Sequence, residues 1–592
     1  MANIEKKLWT RFFDPRNWNS ATPFWAIALV LGLIQVWANR FYMGNDGVPY
    51  LDMANAYVRG DWHSALNGFW NPLYAWLIGL DFLIFRPSPY WEYPVVELLN
   101  FGIYVLTVAS FEYFLRGWLA LRRENEVPVR VIAYGLFLWS SLILIGVWTV
   151  NADMLVAASF YTALGILLRA YNAKTTSALT PVLLGMTLAV GYYSKAVMFP
   201  IGFVLLIIAW IVLRWRRALI AAFVFGLLTM PLIAGISKAT GHLTFGDTSR
   251  LNYGWYVNGV ALRHWEGGPA GVGQPLHPPR ILLDSPRVYE FGGVFPDVTY
   301  PLHYDDAYWY QGLRIKIDPY RMTSLMLSNI KWILELLARQ AGGFLLGWGI
   351  CFLLDKNKAR VLGNLAATWP AWSASMAAML LYSMVHVETR YIGAFEAVLL
   401  LTAYTAIRIP GKRLAAGIVV VGLLWAVIGS AGLTLEARTH QAHSASVNVS
   451  SQTARGLQKL GPHAPNVWWQ VAMDLQKLGL HANDKVASVC WSNRSNVLWA
   501  RLARAHIVAE TDCDVVDFWQ LGDLDQQRTL AALARSGALI AVSDETPPDP
   551  TRAVGWQQVG STNYYAYSLS QLVEPVQGSA IGAEIGPGQL RQ

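Results

Sequence analysis

The stretch NPLYAWLIGLDFLIF (Asn71–Phe85) decides how many times this chain crosses a membrane, and with that the fold. It is apolar, but it is short, opens on Pro72 and carries Asp81 in its middle. A crossing of about 30 Å of hydrocarbon needs roughly 17–25 residues. The stretch therefore reads as a helix lying in the interface, with a further span as the alternative.

Composition sets the frame. Of 592 residues, 54% are hydrophobic and only 14% charged, against about a quarter charged in soluble domains. That excludes an ordinary soluble protein and implies an integral membrane protein. In a soluble chain the net charge of +8 would suggest nucleic acid; here it is read loop by loop, and no nucleic-acid partner follows. Three cysteines exclude a dense disulfide framework.

Runs long enough to span lie near 23–39, 94–115, 131–148, 154–169, 179–192, 198–213, 218–236, 333–354, 363–385, 391–408 and 413–434, about eleven in all. With Asn71–Phe85 lying flat and the N-terminus inside, the inner segments collect Lys6, Lys7, Arg11 and Arg16, then Arg116, Arg122, Arg123 and Arg130, then Arg169 and Lys174. Arg214, Arg216, Arg217, Lys356, Lys358, Arg360, Arg408, Lys412 and Arg413 follow on the same side. The short outer connections carry only Lys195 and Arg390. This is the positive-inside bias, and one more span would reverse it. The first apolar run lacks a small-residue cleavage site, so it reads as an uncleaved helix.

Three outer pieces exceed linker length: 40–93, 237–330 and the chain beyond about 435. The middle one contains GDTSRLNYGWYVNGVALRHWEGGPAGVGQPLHPPR (246–280) and YPLHYDDAYWYQG (300–312), rich in Gly, Pro, Trp and Tyr. Long ordered loops of this kind serve as binding or lid segments. The last piece divides into a linker at 436–465, a domain at 466–572 and a tail at 573–592 with no apolar pattern, expected to be disordered. In the domain, DKVASVC, HIVAE and ALIAVS alternate with RSNVLWARLARA and DQQRTLAALARSGA, closing on YYAYSL. That alternation predicts a small parallel α/β domain. Cys490 and Cys513 would end neighbouring strands, as a disulfide or as two buried thiols.

The topology gathers polar residues at one surface: Asp46 and Asp52 after the first span, Asp153 in TVNAD, Lys195 in YYSKA, and Glu388, Arg390 and Tyr391 in HVETRY. Ionisable groups at membrane depth are costly and mark sites by default. Lys195 and Arg390 suit a lipid phosphate, Arg bidentately and Lys as a point charge. An unpaired carboxylate facing them suits a general base. Each has a plainer reading. Asp46 would cap a helix at 48–58, Asp52 would lie on a solvated face, Asp153 would cap the fourth span, Lys195 would snorkel, and Glu388 and Arg390 would pair only with each other. No His/Cys/Asp cluster has metal-ligand spacing, and there is no P-loop, Rossmann fingerprint or nucleophile elbow.

This layout resembles the lipid-dependent membrane glycosyltransferases of the GT-C class, in the branch of bacterial protein O-mannosyltransferases and lipid A aminoarabinose transferases (glycosyltransferase family 39-like). The resemblance covers roughly 20–435 and rests on Asp46 with YLDMANAYVRGDW and NPLYAWLIGL, on TVNADMLVAA, on GYYSKAVMFP and on ETRYIGAF. It implies about eleven transmembrane helices in a catalytic domain at 1–435, followed by a periplasmic α/β domain. It also implies inverting transfer of one hexosyl or pentosyl unit from a polyprenyl-phosphate donor to a hydroxyl of a glycan, lipid or protein acceptor, at the periplasmic face of the bacterial inner membrane. By the match Asp46 would be the base, Asp153 its support, and Lys195, Arg390 and Tyr391 the donor-phosphate set. Asp52, Glu388, Tyr192, Trp255, His264 and Trp265 would bind substrate; the loop containing Tyr256, Tyr308 and Trp309 would form a lid or acceptor wall. The family often has two adjacent acids in the first loop, whereas Gly47 follows Asp46 here, so a metal-bridging site is in question. No cofactor is implied, and a divalent cation is left open. A flippase for a lipid-linked saccharide is the rival reading; it predicts inverted repeats and mid-membrane charges, and neither is visible. A scaffold would leave Asp46 and Lys195 without a role.

Overall fold

Every apolar run named above forms helix in the computed structural model, which describes residues 21–121, 126–173, 176–441, 466–492, 496–513, 517–548, 550–570 and 572. The charges Lys6, Lys7, Arg11, Arg16, Arg122, Arg123 and Lys174, most of the expected linker and the 573–592 tail lie outside the described residues. The long helices are α1 (Thr22–Asn39), α2 (Gly47–Val58), α3 (Pro72–Phe85), α4 (Glu92–Leu119) and α5 (Glu126–Leu138), the last continued by a π-helical segment at Trp139–Ile145. They are followed by α6 (Asp153–Asn172), α7 (Leu179–Ser194), α8 (Met198–Leu213) and α9 (Trp215–Thr240). Then come α10 (Pro319–Leu354), α11 (Trp369–Ser383), α12 (Thr389–Ala406) and α13 (Lys412–Gln441). The chain is a multi-pass membrane protein: seven of its described helices are long and apolar enough to cross a bilayer, and α3, α7 and α8 are shorter apolar helices. α5 and α6 are almost wholly buried among their neighbours, whereas α1 and α9 keep bare apolar faces, as lipid-facing helices do.

The deciding stretch behaves as its length requires. α3 rises about 21 Å at 1.5 Å per residue, short of about 30 Å of hydrocarbon, and it packs along α2 and α4. Two boundaries differ from expectation. The 237–330 loop ends early, because Asp318 caps a helix running from Pro319, its Oδ1 accepting from Arg321 N at 2.9 Å. The 363–385 run is broken at Thr368, where Pro370 removes a backbone donor, into Arg360–Ala367 and α11.

The sheet is larger than the expected tail domain and is mixed. Its strands are β1 (Arg280–Asp284), β2 (Arg287–Glu290), β3 (Lys485–Ser488), β4 (His506–Thr511), β5 (Ile540–Ser543), β6 (Trp556–Gln558) and β7 (Tyr565–Ser568), in the order β1-β2-β4-β3-β5-β7-β6. β3 pairs parallel with β4 and β5, as the alternation predicts. The hairpin β1–β2, however, belongs to the membrane domain's own loop and adds antiparallel to β4, Val288 opposite Thr511. Loop and tail domain thus share one sheet. Cys490 and Cys513 form a disulfide beside the parallel pair.

A second seam joins the two parts below the sheet. Arg501, on the tail helix Asn496–Ala503, enters the membrane domain and binds Asp52 Oδ1 at 2.6 Å and Glu92 Oε1 at 2.6 Å, with all three side chains buried. Asp52 also accepts from the backbone N and Oγ1 of Thr299.

Candidate active site

Three helices begin at one cavity. Asp46 precedes α2, Asp153 opens α6 and Glu388 precedes α12, while Lys195 lies in the short connection that leads to α8. Helix N-termini carry unpaired N–H groups and partial positive charge, so this convergence favours an anion. The cavity has a volume of about 600 Å³, and Asp46, Asp153, Lys195, Glu388, Arg390 and Tyr391 all line it.

The capping reading of Asp46 does not hold. Its side chain makes no cap hydrogen bond; Oδ2 instead accepts from Arg390 Nη2 at 2.8 Å. Arg390 Nε donates to Glu388 Oε2 at 2.6 Å and stands 3.6 Å from Asp153 Oδ2. Lys195 does not snorkel: its Nζ is 2.5 Å from Asp153 Oδ1 and 3.7 Å from the centre of the Tyr391 ring. Two cations therefore hold three carboxylates in a continuous network, and Glu388 and Arg390 are more than a private pair. Burial alone would raise the carboxyl groups. The Arg390 guanidinium, aided by His303, instead holds Asp46 well below the usual carboxylate range. Arg390 and His386 likewise bring Glu388 down to about 2.

Gly47 has a packing reason. A Cβ there would lie 2.7 Å from Met43 Cγ and 2.8 Å from Val150 Cγ1, distances real side chains do not tolerate. A second acid directly after Asp46 would therefore require Met43 and Val150 to move.

The remaining candidates separate. Trp255 and Tyr256 line the cavity, Tyr256 stacked on His386 at 4.5 Å. Asp52 is not in the cavity; it is committed to Arg501 and Thr299. Tyr192 is buried with its hydroxyl donating to Phe245 O at 2.9 Å. His264 bonds Glu510 of the tail domain at 2.7 Å and stacks on Tyr289, and Trp265 stacks on Tyr310. Those two border a small adjoining chamber of about 50 Å³. Trp309 donates to Pro301 O and Tyr308 stacks on His277, so both serve the loop's own packing.

Sequence reasoning missed His303. It lies in YPLHYDDAYWYQG, where its spacing three residues before Asp306 was the available signal. Its Nε2 is 3.6 Å from Asp46 Oδ1 and its Nδ1 is 3.6 Å from Asp306 Oδ2. Burial would lower its pKa, but the two carboxylates outweigh burial and raise it to about 9. His303 is therefore a cation at neutral pH. A pKa raised on folding gives stability that is complete below the unfolded value of about 6.5 and is lost as pH rises through about 9. The pH dependence of thermal unfolding should show this loss, up to about 3 kcal/mol between pH 6.5 and 10, and His303→Gln should lack it. Equal slopes in the two proteins would contradict the charge.

Among the described residues no group of three or more His, Cys, Asp or Glu side chains is placed to hold a metal ion. The carboxylates of the cavity turn to Arg390 and Lys195, so this donor set does not fit a bridging cation.

No family model and no curated protein matches the chain. Solved structures do. ArnT from Cupriavidus metallidurans bound to undecaprenyl phosphate superposes with a TM-score of 0.52 at 13% identity, covering 94% of this chain and 99% of that one. ArnT from the same organism in the apo state gives 0.49 at 14% identity, over 94% and 100%. The Archaeoglobus fulgidus oligosaccharyltransferase in complex with Zn and sulfate gives 0.43 at 13%, over 93% and 74%. At such identity the ArnT likeness is one of fold: the two chains share an architecture of membrane helices with a sheet-containing C-terminal domain.

Proposed function

We propose that the chain is an inverting glycosyltransferase that moves one sugar from a polyprenyl-phosphate donor to a hydroxyl acceptor at the periplasmic face of the inner membrane. The observation that carries the reading is the single cavity holding Asp46, Lys195 and Arg390 together. The ArnT fold, one solved example of which is bound to undecaprenyl phosphate, supports the lipid class of the donor.

In this reading Lys195 and Arg390 bind the donor phosphate. The acceptor oxygen attacks the anomeric carbon from the opposite side; the bond from that carbon to the phosphate oxygen breaks, its electron pair leaves with the lipid phosphate, and Asp46 takes the hydroxyl proton. The two cations stabilise the charge that grows on the leaving phosphate, a term worth several kcal/mol in a preorganised site. Paired with Arg390, Asp46 is a weak base. An arriving phosphate competes for the same guanidinium, loosens the Asp46 pair and so raises the basicity of Asp46. The base becomes effective when the donor is in place.

The test is reconstitution in liposomes with a panel of radiolabelled polyprenyl-phosphate sugars and an extract of envelope acceptors. Transfer of label that requires Asp46 supports the reading. Translocation of the lipid with no product would replace it with a flippase.

A further inference from the structure

Among the described residues, the tail domain reaches the cavity at one, Trp491. We propose that Trp491 is the acceptor-side platform of this site, against which the ring of a hydroxyl-bearing carbohydrate packs while Asp46 addresses its hydroxyl; this rests on the transfer reading above. Direction comes from the order of groups. Lys195 and Arg390 mark the phosphate end, and Asp46 lies between Arg390 and His303. A single displacement needs the base on the acceptor's side of the anomeric carbon, away from the leaving phosphate. Beyond His303 come Asp306, Arg263 and Trp491, which line both the main cavity and the adjoining chamber. That end is where an acceptor would stand.

Trp491 is held there from both sides. Cys490 adopts φ +64°, a left-handed conformation uncommon outside glycine, which turns the chain off the line of β3. It is fixed by its disulfide to Cys513 and by donation from its N to Thr511 Oγ1 at 2.8 Å. On the other side Ser492 donates from N and Oγ to Glu510 Oε2 at 3.0 and 2.6 Å. Glu510, fully buried, also binds Tyr300 and His264 of the membrane domain's loop. The Arg263 guanidinium lies over one face of the indole, so the sugar would pack on the part of the ring that Arg263 leaves uncovered. An indole suits a sugar ring, whose C–H faces are apolar, while Asp306 and His303 are positioned for its hydroxyls.

The experiment is saturation-transfer difference NMR of methyl glycopyranosides with the full chain in nanodiscs containing undecaprenyl phosphate. In the unsubstituted protein at least one glycoside should show contact. Trp491→Leu should reduce that signal about fivefold or more, Trp491→Phe should keep most of it, and the undecaprenyl phosphate Kd should change less than about twofold in either. A structural defect would move both readouts together, and the two variants guard against a fold lost in one. No contact by any glycoside, or equal contact in Trp491→Leu, overturns the proposal. Undecaprenyl phosphate binding that ignores Lys195→Met would count against the donor site while leaving the Trp491 contact standing.

Discussion

Asp46→Asn should lose about 10²–10⁴-fold in transfer rate, the range expected for removing a general base, and should bind undecaprenyl phosphate at least as tightly as the unsubstituted protein. The opposite directions are the point. Asparagine keeps the shape of the side chain, and Arg390 retains Glu388 and Asp153 as partners, so the fold has little reason to suffer. Asp46 is partly solvent-accessible, with 32% of its side chain exposed, and Arg390 and His303 keep other carboxylates, so the substitution strands no buried charge. Removing a carboxylate that competes for Arg390 leaves the guanidinium freer for phosphate. A variant with near-normal turnover would remove Asp46 from the chemistry. One that lost lipid binding as well would make it a structural residue. Rates of label transfer and lipid titrations on the same preparation decide between these.

Arg501→Met should destabilise the protein by about 3–5 kcal/mol, the cost of stranding buried charge. The substitution keeps most of the side-chain volume but withdraws the guanidinium from Asp52 and Glu92, whose side chains are 2% and 1% exposed. Glu92 keeps Arg504 at 2.7 Å. Asp52 keeps only Thr299 among its partners here. The intact ion pairs contribute little net stability, since desolvation offsets attraction; the penalty lies in breaking them. Adding Asp52→Asn to Arg501→Met should therefore recover part of the loss, a coupling that thermal unfolding of the single and double variants measures. A loss below about 0.5 kcal/mol, typical of surface substitutions, would show that this seam does not hold the tail domain.

The spans were legible because apolar length and basic flanks are properties of single segments. Asn71–Phe85 reads as lying flat from its length, its proline, Asp81 and the basic bias of the loops, and it forms a helix of 14 residues. The gathering of Asp46, Asp153, Lys195 and Arg390 was legible for the same reason: spans of known direction bring their ends to a common face. What the sequence hid were contacts between distant segments. Nothing local in RILLDSPRVYE says that it will extend a sheet whose other strands begin some two hundred residues later, although its Ser-Pro pair was a turn signal. Asp52 looked like a site residue because its partner, Arg501, lies 449 residues away. His303 and Trp491 were overlooked because each becomes meaningful only beside Asp46 or inside the cavity. Charge pairing was hidden too: that Arg390 would hold Asp46 and Glu388 at once depends on side-chain geometry that no spacing rule predicts.

The most direct test of the account is a structure of the protein with undecaprenyl phosphate bound. The account predicts the phosphate within hydrogen-bonding distance of both Lys195 and Arg390, with Asp46 released from Arg390 and one sugar's width from the phosphorus. A phosphate bound elsewhere, or bound there with the Asp46–Arg390 pair unchanged, would contradict it.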